Sequence, residues 1–209
     1  MIDLSALTAA IVTGDRAMAV RIAGDASAAG EDPPIILDAM TAAMQVVGHK
    51  YQHNEIYVPE MLIAARAMKE ALAVLEPELV GAGIRPVGTA VIGTVRGDLH
   101  DIGKNLVGMM WRGANIEVID LGTNVAPERF AEAAKEHDAR IVGVSALLTT
   151  TMIAMRDVVE AIRAANLGGT KVIVGGAPVT AEFAEEIEAD GFAESAGSAA
   201  DVALQALRS

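Results

Sequence analysis

The chain has 209 residues, of which 52% are hydrophobic and 3% aromatic, with a formal net charge of −12 and no cysteine. That length suits one large domain or two small ones, with a core of Ala, Val, Ile, Leu and Met. The composition excludes disulfides, thiolate metal sites and cysteine nucleophiles, and the acidic balance argues against a nucleic-acid partner, whose phosphates call for Lys and Arg. The start, Met1-Ile2-Asp3-Leu4-Ser5, lacks a basic stretch followed by an apolar one, so no signal peptide is expected. No run reaches the roughly 18–20 apolar residues of a membrane span, and the expected location is the cytoplasm, without a membrane partner.

The first part of the chain reads as helices alone. Asp3 can cap a helix ending near Gly14, and Asp15 a second ending near Gly30. Asp32 before Pro33 marks a third start, because proline suits the first helical turn. Ile36, Met40, Met44 and Val47 form its apolar stripe. A fourth helix begins at Pro59-Glu60 and carries Met61, Leu62, Ala65, Met68, Leu72 and Leu75, with Glu76-Pro77 expected to close it. Four such helices suggest a small bundle.

Gly81-Ala82-Gly83-Ile84-Arg85-Pro86 reads as a linker, giving expected domains of 1–84 and 85–209. Beyond it, strands alternate with helices, the signature of a parallel α/β sheet. Strands are expected near 89–94, 116–120, 141–145, 171–174 and 191–193. Helices are expected near 103–113, 127–137, 150–165, 180–189 and 198–207. Five strands in this order fit a flavodoxin-like (Rossmann-like) doubly wound sheet, with strand order 2-1-3-4-5 and a ligand crevice between strands 1 and 3.

In that topology three loops share one sheet edge. The first, Gly97-Asp98-Leu99-His100-Asp101-Ile102-Gly103, places an imidazole between two carboxylates. A ligating histidine usually gives its other N–H to a carboxylate or carbonyl, which fixes its tautomer. The second, Ser145 to Thr151, supplies hydroxyls among small and branched apolar residues. The third, Gly175-Gly176-Ala177-Pro178, removes side chains where a large flat group can approach the backbone.

Asp98-x-His100-x-x-Gly103, then Ser145-x-Leu147, then Gly175-Gly176 resembles the cobalamin-binding signature DxHxxG…SxL…GG. Upstream, Val47-Gly48-His49-Lys50-Tyr51 and the stretch from Tyr57 to Met68 resemble the helical cap of methyl-carrying corrinoid proteins and of the cobalamin module of methionine synthase. The resemblance thus spans nearly the whole chain. It implies a four-helix cap before the flavodoxin-like domain, and a cobalamin-type corrinoid whose cobalt takes His100 as lower axial ligand. Asp98 would hydrogen-bond the far nitrogen of His100, and Ser145 would bond Asp98. Gly103, Ser145, Leu147, Thr149, Gly175 and Gly176 would line the slot of the nucleotide tail, and Asp101 and Ile102 would be further cofactor-binding residues. Tyr51, Val58 and Met61 would cover the upper corrin face. The implied function is a methyl carrier, alternating between Co(I) and methyl-Co(III), and not a complete enzyme. Its implied partners are a substrate methyltransferase, an acceptor methyltransferase passing the methyl group to a C1 acceptor such as tetrahydrofolate or a thiol, and an ATP-dependent reductive activator.

Other readings give the same residues other tasks. Asp98, His100 and Asp101 alone would be a solvated loop. A hydrolytic metal centre lacks further histidines nearby in sequence, with His49, His53 and His137 in polar helical contexts expected at the surface. Gly175-Gly176 lacks the basic residue of a phosphate-binding loop. At the level of whole function the rivals are a cobalamin-dependent regulator, the cobalamin subunit of a mutase and a cofactor-free interaction module.

Overall fold

In the computed structural model, which describes residues 3–208, the early capping signals act as helix ends. Asp3 accepts the Ser5 N–H at 2.9 Å and starts α1 (Leu4–Thr13), which stops at Gly14 in the left-handed region. Asp15 accepts the Met18 N–H at 3.0 Å and starts α2 (Arg16–Ala28). Two prolines open α3 (Pro33–Gln52), where Asp32 makes no side-chain cap. Glu60 reaches back to the Tyr57 N–H at 3.1 Å and secures the start of α4 (Val58–Gly81).

Pro77 does not close α4. The helix continues past it to Gly81. Proline lacks the N–H that would bond one turn back, but the following turn still bonds normally, with Ala82 N donating to Glu78 O at 2.8 Å. These helices form one unit, running to Pro86. Its core takes Leu7 and Ile11 from α1, Ile36, Met40, Met44 and Val47 from α3, and Met61, Met68 and Leu75 from α4, all essentially buried. The methionines fill the gaps a nearly aromatic-free core would leave.

The second unit begins at Val87. Its strands are β1 (Gly88–Thr94), β2 (Ile116–Asp120), β3 (Ile141–Ser145), β4 (Lys171–Gly175) and β5 (Gly191–Ala193). All pairings are parallel and the order is β2-β1-β3-β4-β5. The strands therefore end on one edge, with Thr94 beside Ser145 and Ser145 beside Gly175.

Alternation of side chains gives the sheet two apolar faces. Val91, Val142, Val144, Val172 and Val174 pack with Phe130 of α6 (Pro127–Glu136) and with Met155, Val158 and Ile162 of α8 (Ala154–Ala164). On the other face, Trp111 of α5 (Ile102–Gly113) lies against Gly143, where a Cβ would collide with its ring. The buried Trp111 indole donates to Ala199 O of α10 (Ala196–Arg208) at 2.9 Å, joining α5 to the last helix. α9 (Ala181–Glu186) precedes β5. The single helix expected near 150–165 is two: a one-turn α7 (Thr149–Met152), then α8 after Ile153.

Candidate functional site

The site is built at the carboxyl end of β1. Asp98 N donates to Val95 O at 3.1 Å, closing a turn with Gly97 at φ +83°. Glycine meets that conformation without strain. The turn drives the Asp98 side chain inward, where it is almost completely buried (1% exposed). A buried carboxylate needs full hydrogen bonding, and Asp98 obtains it. Its Oδ1 accepts the His100 N–H at 3.0 Å and pairs with His100 Nδ1 at 2.7 Å. Its Oδ2 accepts the Leu147 N–H at 2.8 Å and the Thr151 hydroxyl at 2.7 Å.

Burial alone would push the Asp98 carboxyl upward. The donors from Leu147, Thr151 and His100 outweigh it and hold the group well below the usual carboxylate range. Asp98 is therefore an acceptor at neutral pH, and the proton on its bond to His100 belongs to Nδ1. That tautomer leaves Nε2 with its lone pair, on a side chain 51% exposed. An outward Nε2, with Nδ1 held by a carboxylate, is the arrangement of a histidine ready to ligate a metal.

The Ser145 hydroxyl is not among the donors to Asp98. Ser145 is the last residue of β3, paired in the sheet, and its carbonyl accepts the Val95 N–H at 3.0 Å. Thr151, six residues later in α7, turns back to the carboxylate instead and takes the expected role of Ser145. Thr149 begins that short helix and is exposed. Leu147 joins the site through its backbone, with its side chain outward.

Asp101 and Ile102 open α5. The Asp101 carboxylate accepts from Asn105 Nδ2 at 3.1 Å, and Ile102 is 70% exposed. Gly103 faces open space, so its backbone is accessible to a ligand. Gly175 and Gly176 have reasons of their own within the sheet unit. A Cβ at Gly175 would press on Ala193 O, and one at Gly176 (φ +135°) would overlap Ala146 O. The end of β5 and the loop after β3 therefore each approach one of these glycines closely.

Tyr51, Val58 and Met61 lie on the helical unit and flank the α3–α4 turn. Tyr51 and Val58 are half-buried and Met61 is fully buried. They do not belong to the cluster on the sheet edge, which comprises Asp98, His100, Leu147 and Thr151. His49 and His53 are exposed and stack with ring centroids 4.0 Å apart. Among the described residues, no group of three or more His, Asp or Glu side chains is placed to hold a metal ion, and no helix is long and apolar enough to cross a membrane.

Sequence reasoning missed three side chains around the loop. Thr94, fully buried, donates to His100 O at 2.9 Å. Asn124 accepts the Gly97 N–H at 2.8 Å. Lys104, only 2% exposed, pairs with Asp120 at 2.6 Å. A lysine within an apolar helix face was the available signal for the last. Nothing in the local pattern marks the other two.

Two family models, both described as B12 binding domain, match residues 88–204 and 4–76. The chain belongs to the B12-binding family. Its cofactor is a cobalamin-type corrinoid. A corrinoid protein of Desulfitobacterium hafniense is 40% identical over 98% of this chain and 97% of its own length. Trimethylamine corrinoid protein 2 of Methanosarcina acetivorans is 42% identical over 93% of this chain and 92% of its own. Among solved structures, a cobalamin-binding protein from Desulfitobacterium hafniense superposes with a TM-score of 0.85 at 29% identity, covering 99% of both chains. A chain of the methanol:cobalamin methyltransferase complex of Methanosarcina barkeri gives 0.83 at 30% identity, covering 98% of this chain and 79% of that one.

The residues present fit such a cofactor. His100 offers one free ring nitrogen, a suitable donor for cobalt. Around it, Leu99, Ile102, Leu147 and Leu148 expose apolar side chains that a monomeric surface ordinarily buries, and the open side of Gly103 lies in the same loop. A broad, largely apolar ring seated on His100 would cover them.

Proposed function

We propose that this corrinoid protein is a methyl carrier that serves separate methyltransferases and catalyses neither half-reaction alone. The bound corrinoid supplies a cobalt centre able to accept a methyl group from one partner and yield it to another. The observation that carries the reading is the bond from buried Asp98 to His100 Nδ1, on a side chain whose far side is open to solvent.

Each residue has a defined task. His100 Nε2 would hold the cobalt. Asp98 orients the ring through Nδ1. The Leu147 N–H and the Thr151 hydroxyl keep Asp98 ionised and fixed. Leu99, Ile102, Leu147 and Leu148 exclude water beneath the ring. Gly103, Thr149, Gly175 and Gly176 would line the path of the nucleotide tail, and Tyr51, Val58 and Met61 belong to the helical cap that the family resemblance sets over the corrin. Such a cap must move, because donor and acceptor proteins need the face beneath it. A substrate methyltransferase, an acceptor methyltransferase and an ATP-dependent reductive activator complete the system. The similar proteins are named for trimethylamine and dimethylamine; in this reading the partner methyltransferase, and not this chain, recognises the donor.

The test mixes the protein with hydroxocobalamin, removes free cofactor by gel filtration and records absorption spectra of wild type and His100→Ala. The wild type should retain corrinoid with a spectrum that differs from that of the variant. A folded wild type that retains none, or identical spectra for the two proteins, would overturn the reading.

A further inference from the structure

The loop carrying His100 is also held from the β2 side, by groups the carrier reading leaves unused. At the end of β1, Thr94 N donates to Gly122 O at 3.0 Å and Val125 N donates to Thr94 O at 2.9 Å, both partners lying past the end of β2. Val95 and Val125 then form a parallel bridge. The β1–β2 ladder thus continues past both strands, and two side chains within this continuation reach the His100 loop. Buried Thr94 donates its hydroxyl to the His100 carbonyl at 2.9 Å. Asn124, at φ +54°, accepts the Gly97 N–H on Oδ1 at 2.8 Å, and its own N–H donates to Asp98 O at 2.9 Å.

The turn closed by Asp98 N and Val95 O uses the amide of Asp98 and leaves that of Gly97 facing out. Asn124 gives that amide a partner. Asparagine also suits the left-handed backbone needed to present amide and side chain together. The backbone of Gly97, Asp98 and His100 is therefore pinned through the Gly97 amide, both Asp98 backbone groups and the His100 amide and carbonyl. All of these partners lie within the sheet unit.

We infer that Thr94 and Asn124 are positioning residues for the axial imidazole: they fix the loop in its ligating conformation before a corrinoid arrives, so His100 binds and releases by side-chain rotation alone. The inference rests on His100 being the axial ligand. A ligand on a pinned backbone loses less freedom when it binds. With either clamp removed, part of that freedom returns and the ligated fraction falls.

Four variants test it. Thr94→Val removes the hydroxyl at nearly constant shape, and Thr94→Ser keeps it. Asn124→Gly removes the carboxamide without straining the left-handed backbone, and Asn124→Asp keeps an acceptor. Amide exchange is followed in the cofactor-free proteins. The nitrogen hyperfine splitting of the cobalt(II) form is recorded in protein labelled with nitrogen-15 histidine, which tells His100 apart from the cofactor's own base, after loading with hydroxocobalamin and reduction. Gly97 should exchange at least tenfold faster in Asn124→Gly. The nitrogen-ligated fraction should fall at least threefold in Thr94→Val and twofold in Asn124→Gly, with both conservative variants restored to the wild-type value.

Unchanged Gly97 exchange in Asn124→Gly, or a wild-type ligated fraction in both loaded, disruptive variants, would overturn the inference. If Thr94→Val does not fold, the exposed Asn124 decides it alone on the same two readouts. A wild type that holds no corrinoid, or holds it without a nitrogen ligand, fails the carrier reading itself and this inference with it, and the fault then shows in the wild type and not in the variants.

Discussion

The Asp98–His100 pair is asymmetric by construction. Asp98 is buried and fully bonded, while His100 is half exposed with one nitrogen free. In the proposed role the carboxylate stays ionised where burial disfavours charge, and each donor to Asp98 contributes to that. Thr151 and Ser145 separate cleanly in this respect. Thr151→Val removes a charge-assisted hydrogen bond and should lower stability by about 1–2 kcal/mol. Ser145→Ala removes no bond to Asp98 and should stay within about 0.5 kcal/mol of wild type. Urea unfolding midpoints of the two variants check the order, and a larger loss for Ser145→Ala would return Ser145 to the site. The motif Asp-x-His-x-x-Gly made the imidazole and its carboxylate legible. It could not show which of several hydroxyls bonds the carboxylate, because that depends on how α7 turns back over the sheet edge.

At the scale of elements, α5 carries the site's first helical turn and is tethered to β2 by Lys104 and Asp120. The Lys104 ammonium is buried and bonds both Asp120 oxygens, at 2.6 and 2.7 Å, and Asn105 Oδ1 at 2.6 Å. Asn105 in turn bonds Asp101, beside His100. Burial pushes the Asp120 carboxyl up, but Lys104, the Gly122 N–H and the nearby charge of Arg112 bring it below its ordinary value. A carboxyl lowered in the folded state stabilises it above the unfolded pKa of about 3.9, and that contribution is lost as the pH falls through the folded value. Asp120→Asn leaves a buried ammonium uncompensated and should cost on the order of 2 kcal/mol at pH 7, less than for a fully buried pair because Asp120 is about one-third exposed. Below about pH 4 the gap to wild type should narrow and then close. Unfolding midpoints at pH 7 and at successively lower pH measure it; a gap independent of pH would show that the charge is not the cause. The strands were legible because buried parallel strands are short β-branched runs between glycines. The break at Ile153 and the passage of α4 through Pro77 were not, since both depend on bonds made by neighbouring turns and not on residue type.

At the scale of the molecule, the change from helical to strand periodicity near residue 85 announced two kinds of architecture, and the family models match on either side of it. The part proposed for Tyr51, Val58 and Met61 in covering a corrinoid comes from family resemblance alone, because the three follow an ordinary helix-packing pattern. The connecting segment makes the division testable. Residues 82–87 lie between α4 and β1, are mostly exposed, and include Gly83 at φ +73°. Exposed connections between compact units are where proteases cut first. Trypsin is a poor probe, because Arg85 precedes a proline. Thermolysin, which cleaves before large aliphatic residues, should make its first cut before Ile84 and leave two resistant fragments. In the corrinoid-loaded protein, separation of those fragments should leave the cofactor with the one carrying His100. Mass spectrometry of a time course locates the cut, and absorbance locates the corrinoid. First cuts within α1–α4 or the sheet would show that the two units are not the most stable parts of the chain. Corrinoid travelling with the helical fragment would move its main attachment away from the sheet edge.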